Sequence, residues 1–171
     1  MPSPFAGFIN ASHFSPDIAD FIRLLDKHCV RYVIVGGEAV IYHGYARFTG
    51  DVDFYYSNRL TNVQRLWTAL KEFWGGNVPV IESAEELTEP GIIVQFGRPP
   101  NRIDLLNRID GVRFAAAWKS KLVLRLMDSA AGIPLFMLDL ENLIRNKRSA
   151  GRPKDLDDLK YLEKMVARKS K

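Results

Sequence analysis

Residues 33–54 read VIVGGEAVIYHGYARFTGDVDF, and this stretch decides the fold. The apolar run 32–35 predicts a short buried strand, Gly36 and Gly37 end it, and residues 38–44 predict a helix. Glycine lets the backbone approach a ligand closely because no Cβ intervenes, and the start of a helix offers free N–H groups. The pattern therefore predicts a phosphate-binding site at Gly36 and Gly37, with a plain tight turn as the alternative.

The same stretch ends in two aspartates, Asp51 and Asp53, within a strand-like segment over residues 51–56. Residues i and i+2 of a strand point to the same side, so the two carboxylates share a face while Val52 and Phe54 face the core. Carboxylates held side by side repel each other unless a cation joins them, and such oxygen ligands suit Mg²⁺ or Mn²⁺. The pair predicts a metal site, with the acidic face of a surface strand as the alternative.

A third carboxylate, Asp104, lies between Ile103 and Leu105 in the apolar segment 102–106. An aspartate in such a segment is costly to bury without a partner. If its strand lies beside that of Asp51 and Asp53, three carboxylates converge and complete a two-metal site for phosphoryl transfer. The alternative is an ordinary aspartate at a strand end.

The rest of the chain predicts an α+β domain with a mixed sheet of five or six strands and flanking helices. Residues 1–14 resemble a loose leader, residues 15–137 the α/β core, and residues 138–171 a basic helical segment packed on that core. Beyond the segments already described, the patterns indicate the following elements: helices over 15–29, 61–74, 139–148 and 153–168, and strands over 78–81, 92–96, 122–127 and 133–137, the last two paired.

Composition narrows the classes of protein. Among 171 residues, 47% are hydrophobic and 26% charged, which excludes a largely disordered chain, and a single cysteine, Cys29, excludes an intrachain disulfide. The sequence contains no apolar run long enough to span a membrane, so we expect a cytoplasmic protein without a membrane partner. The net charge of +4 arises in residues 137–171, which contain ten basic and six acidic side chains. A basic tail suits a polyanionic partner, either a nucleotide or an RNA.

Taken together, a hydrophobic–Gly–Gly motif, thirteen residues, Asp–hydrophobic–Asp and a later strand aspartate resemble the signature of the nucleotidyltransferase superfamily, the DNA polymerase β-like palm. The Gly-Gly-x-Ala form, with His-Gly and Arg-x-Thr before the aspartates, resembles its small bacterial branch. That branch includes abortive-infection-type nucleotidyltransferase toxins and minimal nucleotidyltransferases. Residues 143–159 resemble the Lys…Arg-x-Lys-Asp-x-x-Asp-Leu element of the same branch, so the resemblance covers residues 30–165.

The resemblance implies a role for each of these residues. It implies a polymerase β-like palm fold, Mg²⁺ (or Mn²⁺) on the aspartates, and phosphates on the two glycines. Lys147 would reach the nucleotide or its developing charge from the C-terminal helices, and a solvated basic face is the alternative for it and its neighbours. Serine, whose hydroxyl can bind phosphate, is more usual at the second glycine. The phosphate-binding site at Gly37 therefore depends on backbone N–H groups alone. The implied set is catalytic Asp51, Asp53, Asp104 and Lys147, with nucleotide-binding Gly36, Gly37, Arg47, Thr49, Lys147, Arg152, Asp155 and Asp158.

The resemblance also implies a reaction. The enzyme would transfer a nucleoside monophosphate from an NTP to a hydroxyl of an RNA, with a tRNA end as one candidate, or of a protein. It would serve as the toxin of a toxin–antitoxin pair, with a cognate antitoxin protein as partner. The alternative is a catalytically degenerate palm that acts as a nucleotide-, RNA- or protein-binding module. A metal-dependent hydrolase that uses the same acids is a weaker alternative, since the sequence has no His/Asp cluster of the phosphohydrolase type.

Overall fold

Over residues 6–128 and 132–170, a computed structural model describes an α+β protein with a seven-stranded mixed sheet and six α-helices. The α+β class and the mixed sheet are as predicted, but the sheet has seven strands instead of the five or six expected. The strands are β1 (Gly7–Asn10), β2 (Tyr32–Val35), β3 (Asp51–Tyr56), β4 (Ile93–Phe96), β5 (Arg102–Leu106), β6 (Leu122–Met127) and β7 (Ile133–Met137). The helices are α1 (Pro16–Lys27), α2 (Gly36–Tyr42), α3 (Leu60–Phe73), α4 (Phe114–Ser120), α5 (Leu140–Ala150) and α6 (Pro153–Lys169).

The order of the strands places the acidic segments side by side. The sheet runs β1-β6-β7-β2-β3-β5-β4, with β3 antiparallel to β2 and parallel to β5. In the β3–β5 register, Asp51 lies opposite Arg102, and Asp53 lies opposite Asp104. The strand of Asp104 therefore lies beside the strand of Asp51 and Asp53, which the prediction of a three-carboxylate site required.

Helices cover the sheet and bury its apolar side chains. Ser15 caps α1 by accepting a hydrogen bond from the Ile18 N–H, and Pro16 occupies the first helical turn. Helix α1 packs against α3 and β7, and α5 packs against α6 and α2. Gly151, with a φ of +62°, ends α5, and Pro153 begins α6, so the two helices fold back on each other.

Two expectations about local structure were wrong. Part of the predicted loose leader, residues 7–10, is the edge strand β1, which pairs in parallel with β6; residues 1–5 lie outside the described part of the chain. The segment has no apolar alternation strong enough to predict a strand, and its Phe8 is 73% exposed. Residues 78–81 form no strand, because Pro79 lacks an N–H and Val80 has a φ of +75°.

Other expectations are not tested by the fold. Residues 129–131 of the turn between β6 and β7 lie outside the described residues, while the pairing of these two strands is confirmed. The bounds at residues 14 and 137 between leader, core and C-terminal segment stay predictions. In the described part of the chain, no helix combines the length and the apolarity that crossing a membrane requires.

Candidate active site

A cavity of about 670 Å³ opens where β2 ends and where β3 and β5 begin, with α5 and the start of α6 as its opposite wall. Ten of the eleven residues predicted for the site line it: Gly36, Gly37, Arg47, Thr49, Asp51, Asp53, Asp104, Lys147, Arg152 and Asp155. The eleventh, Asp158, is fully buried behind the wall and contacts Lys147 and Arg47. The structure therefore brings the predicted residues together around one space.

Gly36 is glycine for two independent reasons. Its φ of +65° belongs to the left-handed region, where a side chain is disfavoured. A Cβ at this position would also collide with the carboxylate of Asp53. The backbone can lie against the acids only because no side chain stands between them.

Gly37 makes room for the hydroxyl of Thr49. A Cβ built on Gly37 would lie 2.5 Å from Thr49 Oγ1 and 2.9 Å from Thr49 Cβ, closer than atoms in contact allow. Thr49 thus fills the space into which a side chain at position 37 would project. Thr49 therefore places a hydroxyl beside the glycines, where a serine at position 37 would have supplied one.

The three aspartates form what we call the acid cluster: Asp51, Asp53 and Asp104. One carboxylate oxygen from each lies within 4.8 Å of the other two. Thr49 Oγ1 donates a hydrogen bond of 3.2 Å to Asp51 Oδ1, and Gln95 Nε2 donates one of 3.0 Å to Asp104 Oδ2. The acids therefore converge instead of pointing apart along the sheet.

Asp53 differs from its two neighbours. In the described part of the chain no group donates a hydrogen bond to it, whereas both neighbours accept several. Burial raises the pKa of Asp53 to about 7, and the negative charges of Asp51 and Asp104 add to the shift. The cluster is thus short of positive charge at the position that faces Gly36.

The acid cluster fits a divalent metal ion. Its donors are carboxylate oxygens only, which match the hard-oxygen preference of Mg²⁺ and Mn²⁺. Because the pKa of Asp53 is raised, Asp53 is the carboxylate whose ionised form such a cation would stabilise most. Asp51 and Asp53, with Asp104 as third acid, are the residues that could hold it.

The opposite wall contains a second group of charges, here called the helix ion-pair network: Arg47, Lys147, Arg152, Asp155 and Asp158. Lys147 Nζ lies 2.9 Å from Asp155 Oδ1 and 3.0 Å from Asp158 Oδ2. Arg47 Nε lies 2.8 Å from Asp158 Oδ1, and Arg152 Nε donates to Asp155 Oδ2 at 2.7 Å. Each buried carboxylate therefore has two cationic partners.

The burial of Lys147 in this network excludes the solvated basic face as the interpretation of that lysine. Lys147 is only 5% exposed, so it is not part of a solvated basic face, while the side chain of Arg152 is 76% exposed and borders open solvent. Burial alone would raise the pKa of Asp155, but hydrogen bonds from Arg152 and Lys147 hold it below its usual value. Asp155 and Asp158 hold the lysine ammonium between them.

Sequence reasoning missed two side chains that contact the acid cluster. Arg102 precedes Asp104 by two residues, so strand alternation could have placed both on one face. Gln95 is opposite Asp104 only through the antiparallel β4–β5 register, which no local pattern reveals. Glu38, an acid beside the glycines, points away from the cavity: its Oε2 lies 2.7 Å from Nε2 of His13.

A family model described as "Nucleotidyltransferase of unknown function (DUF6036)" matches residues 16–168. The chain belongs to this family. The match confirms the resemblance to the nucleotidyltransferase superfamily, and a nucleotidyltransferase family supports an enzyme. The matched residues include every member of the acid cluster and of the helix ion-pair network. No curated protein matches the chain.

Proposed function

We propose that this protein is a divalent-metal-dependent nucleotidyltransferase of the polymerase β-like palm type. The observation that carries the proposal is the convergence of Asp51, Asp53 and Asp104 on two parallel strands, within 4.8 Å of one another, inside a cavity also lined by Gly36 and Gly37. Carboxylates that can bind a metal ion, beside a backbone segment that phosphates can approach closely, suit a metal-bound triphosphate.

The acid cluster would hold Mg²⁺ or Mn²⁺. When bound, a divalent ion polarises phosphoryl oxygens and lowers the pKa of an attacking hydroxyl. Asp51 and Asp53 would bind it from β3, and Asp104 would take the side of the acceptor. Thr49 donates a hydrogen bond to Asp51 and Gln95 donates one to Asp104, and these contacts orient the two carboxylates.

The nucleotide would lie between the glycines and the helix ion-pair network. Gly36 and Gly37 offer close backbone approach, Thr49 a hydroxyl and Arg152 an exposed guanidinium, which all suit phosphate oxygens. Lys147 lines the same space, with its ammonium fixed by Asp155 and Asp158. It would stabilise negative charge that develops on the phosphates instead of binding by a mobile side chain.

The proposed reaction is the transfer of a nucleoside monophosphate from an NTP to a hydroxyl. An acceptor hydroxyl of an RNA, such as a tRNA end, or of a protein attacks the α-phosphorus. A bond forms between the acceptor oxygen and the α-phosphorus, and the bond from the α-phosphorus to the β-bridging oxygen breaks. Pyrophosphate leaves, and the hydroxyl proton passes to a carboxylate of the acid cluster or to water. A role as a toxin with a cognate antitoxin stays a prediction from the resemblance.

One observation favours the alternative of a catalytically degenerate binding module. Arg102 already pairs with Asp51 and Asp104, so two of the three acids have a cation from the protein itself. A palm that uses this arginine in place of a metal would bind nucleotide, RNA or protein without chemistry.

A labelling experiment separates the two functions. The protein is incubated with Mg²⁺, total tRNA, cell extract and each NTP, labelled either at the α- or at the γ-phosphate. We expect label from the α-position alone in a macromolecular product, retained by the surface control Asp20→Asn and lost in Asp53→Asn. Label from the γ-position would show a phosphotransferase, and nucleotide binding without any product would favour the binding module.

A further inference from the structure

Arg102 lies where the acid cluster would meet a metal ion. It begins β5, stands opposite Asp51 in the parallel register, and shares the strand face of Asp104 two residues later. Its side chain is partly buried and lines the cavity. An arginine at this position brings a fixed positive charge to a cluster that is otherwise negative.

The guanidinium binds two of the three acids. Nη2 donates to Asp51 Oδ2 at 2.5 Å and to Asp104 Oδ2 at 3.0 Å, and Nε donates to Asp104 Oδ1 at 2.7 Å. Three of the six carboxylate oxygens of the cluster are therefore taken by one side chain. None of these contacts reaches Asp53. The arginine therefore bridges Asp51 and Asp104, and Asp53 stays free to bind another cation.

The sheet itself does not need this bridge. Strands β3 and β5 pair over five consecutive register positions, from Asp51↔Arg102 to Tyr55↔Leu106, and Asp104 has a second donor in Gln95. The Arg102–Asp51 pair, in which both side chains are about a quarter exposed, contributes little to stability. The contacts of Arg102 are thus better explained by the charge of the cluster than by the architecture.

We propose that Arg102 is a positioning residue that substitutes for the divalent ion while the metal site is empty and releases Asp51 when the ion binds. The inference rests on the metal site of the proposed function. A divalent ion held by Asp51 would share that carboxylate with Arg102, and two cations on one carboxylate repel each other. Binding therefore costs the contact between Arg102 and Asp51, while Nε can keep Asp104 in place.

Two consequences distinguish this role from a structural ion pair. Removal of the arginine charge tightens the binding of a divalent ion to the nucleotide-free protein, because a competitor is lost. It also lowers the melting temperature in EDTA, because three carboxylates then face each other with no cation, and the loss shrinks when the site is filled. A structural ion pair would weaken metal binding and leave the same loss at every metal concentration.

The test measures Mn²⁺ binding by the loss of the free-ion electron paramagnetic resonance signal, without nucleotide. Arg102→Gln removes the charge, Arg102→Lys keeps it without the fork, and Arg108→Gln removes an equal charge from the wall of the same cavity. We expect Arg102→Gln to lower the Kd for Mn²⁺ by about tenfold, with Arg108→Gln and Arg102→Lys each within about threefold of the unchanged protein.

The outcomes are separable. An unchanged or raised Kd in Arg102→Gln, in a protein that retains its circular dichroism, would overturn the proposed role while the metal site stands. An equal drop in Arg108→Gln would overturn it too, because the effect would then belong to net charge. If neither the unchanged protein nor Arg102→Gln binds Mn²⁺, both the proposed function and this inference fail.

Discussion

The acid cluster and the helix ion-pair network line opposite walls of one cavity, but their charges are compensated to different degrees. In the cluster, Arg102 pairs with two of the three carboxylates, and among the described residues no group donates a hydrogen bond to the third, Asp53. In the network, two carboxylates share three cations, and Lys147 is enclosed by both. The acid cluster therefore has more carboxylates than cations, whereas the helix ion-pair network has more cations than carboxylates.

This difference separates two uses of buried charge. A network with all its partners inside the protein holds its members in place and is costly to break. A cluster with more carboxylates than cations is held together by the fold and gains from a cation supplied by solvent. A metal-bound triphosphate has both signs of charge and would complete both walls at once.

The largest expected effect is on activity and belongs to the acid cluster. Asp53→Asn removes a metal ligand without a change in size, so we expect nucleotidyl transfer to fall by at least about 1000-fold, while the protein still folds. The rate of α-label transfer and the far-ultraviolet circular dichroism are the two measurements. A variant that keeps more than about a tenth of the rate would remove Asp53 from the catalytic residues.

The next effect is on folding and belongs to the helix ion-pair network. Lys147→Met leaves Asp155 and Asp158 with one cationic partner each in a buried site, so we expect a loss of about 3 kcal/mol in the free energy of unfolding. Urea denaturation measures it. The matched control is Lys154→Met, an exposed lysine of the same cavity, for which we expect almost no change. Equal stabilities of the two variants would contradict a structural role for the network.

A third effect depends on pH. The folded pKa of Asp53, about 7, is above the unfolded value near 3.8, so the folded state binds the proton more tightly and the metal-free protein loses stability as pH rises from about 4 to 7. Asp53→Asn removes this loss. We therefore expect it to be about 2 kcal/mol more stable than the unchanged protein at pH 8 in EDTA, and no more stable at pH 4.

Thermal melts at both pH values provide the check, repeated with saturating Mg²⁺. The ion should restore the stability of the unchanged protein at pH 8 and have little effect on Asp53→Asn. A gain that is the same at pH 4 and pH 8 would show that the substitution acts through packing instead of charge.

The smallest effect concerns the space shared by Gly37 and Thr49. Gly37→Ser places a side chain against the Thr49 hydroxyl, so we expect a loss of about 1–2 kcal/mol in unfolding free energy. The double variant Gly37→Ser with Thr49→Ala should recover part of this loss, because the Thr49 hydroxyl at 2.5 Å is removed while the Thr49 Cβ at 2.9 Å remains. A double variant as unstable as the sum of its two single variants would rule out steric competition between them.

Much of the site could be predicted from the sequence because its determinants are local. The strand before Gly36 follows from an apolar run, and the shared face of Asp51 and Asp53 follows from their spacing alone. The network residues were found through a motif resemblance, and the structure then gave them partners. Ten of the predicted residues line one cavity for these reasons.

The rest could not be predicted because it depends on pairing between distant segments. The register that puts Asp104 beside Asp53 joins strands about 50 residues apart, and parallel pairing has no local turn to fix it. The edge strand β1 forms because β6 offers it a partner, not because its own four residues favour a strand. The contact of Gln95 with Asp104 has the same origin, since it depends on the β4–β5 register.

The most direct test of the account is the position of the metal in crystals grown with Mn²⁺ and a non-hydrolysable NTP analogue. We predict an anomalous scattering peak at about 2.1–2.2 Å from oxygens of both Asp51 and Asp53, with Arg102 no longer bound to Asp51 and the phosphates against Gly36 and Gly37. Mn²⁺ bound elsewhere, with Arg102 still bridging Asp51 and Asp104, would contradict the account.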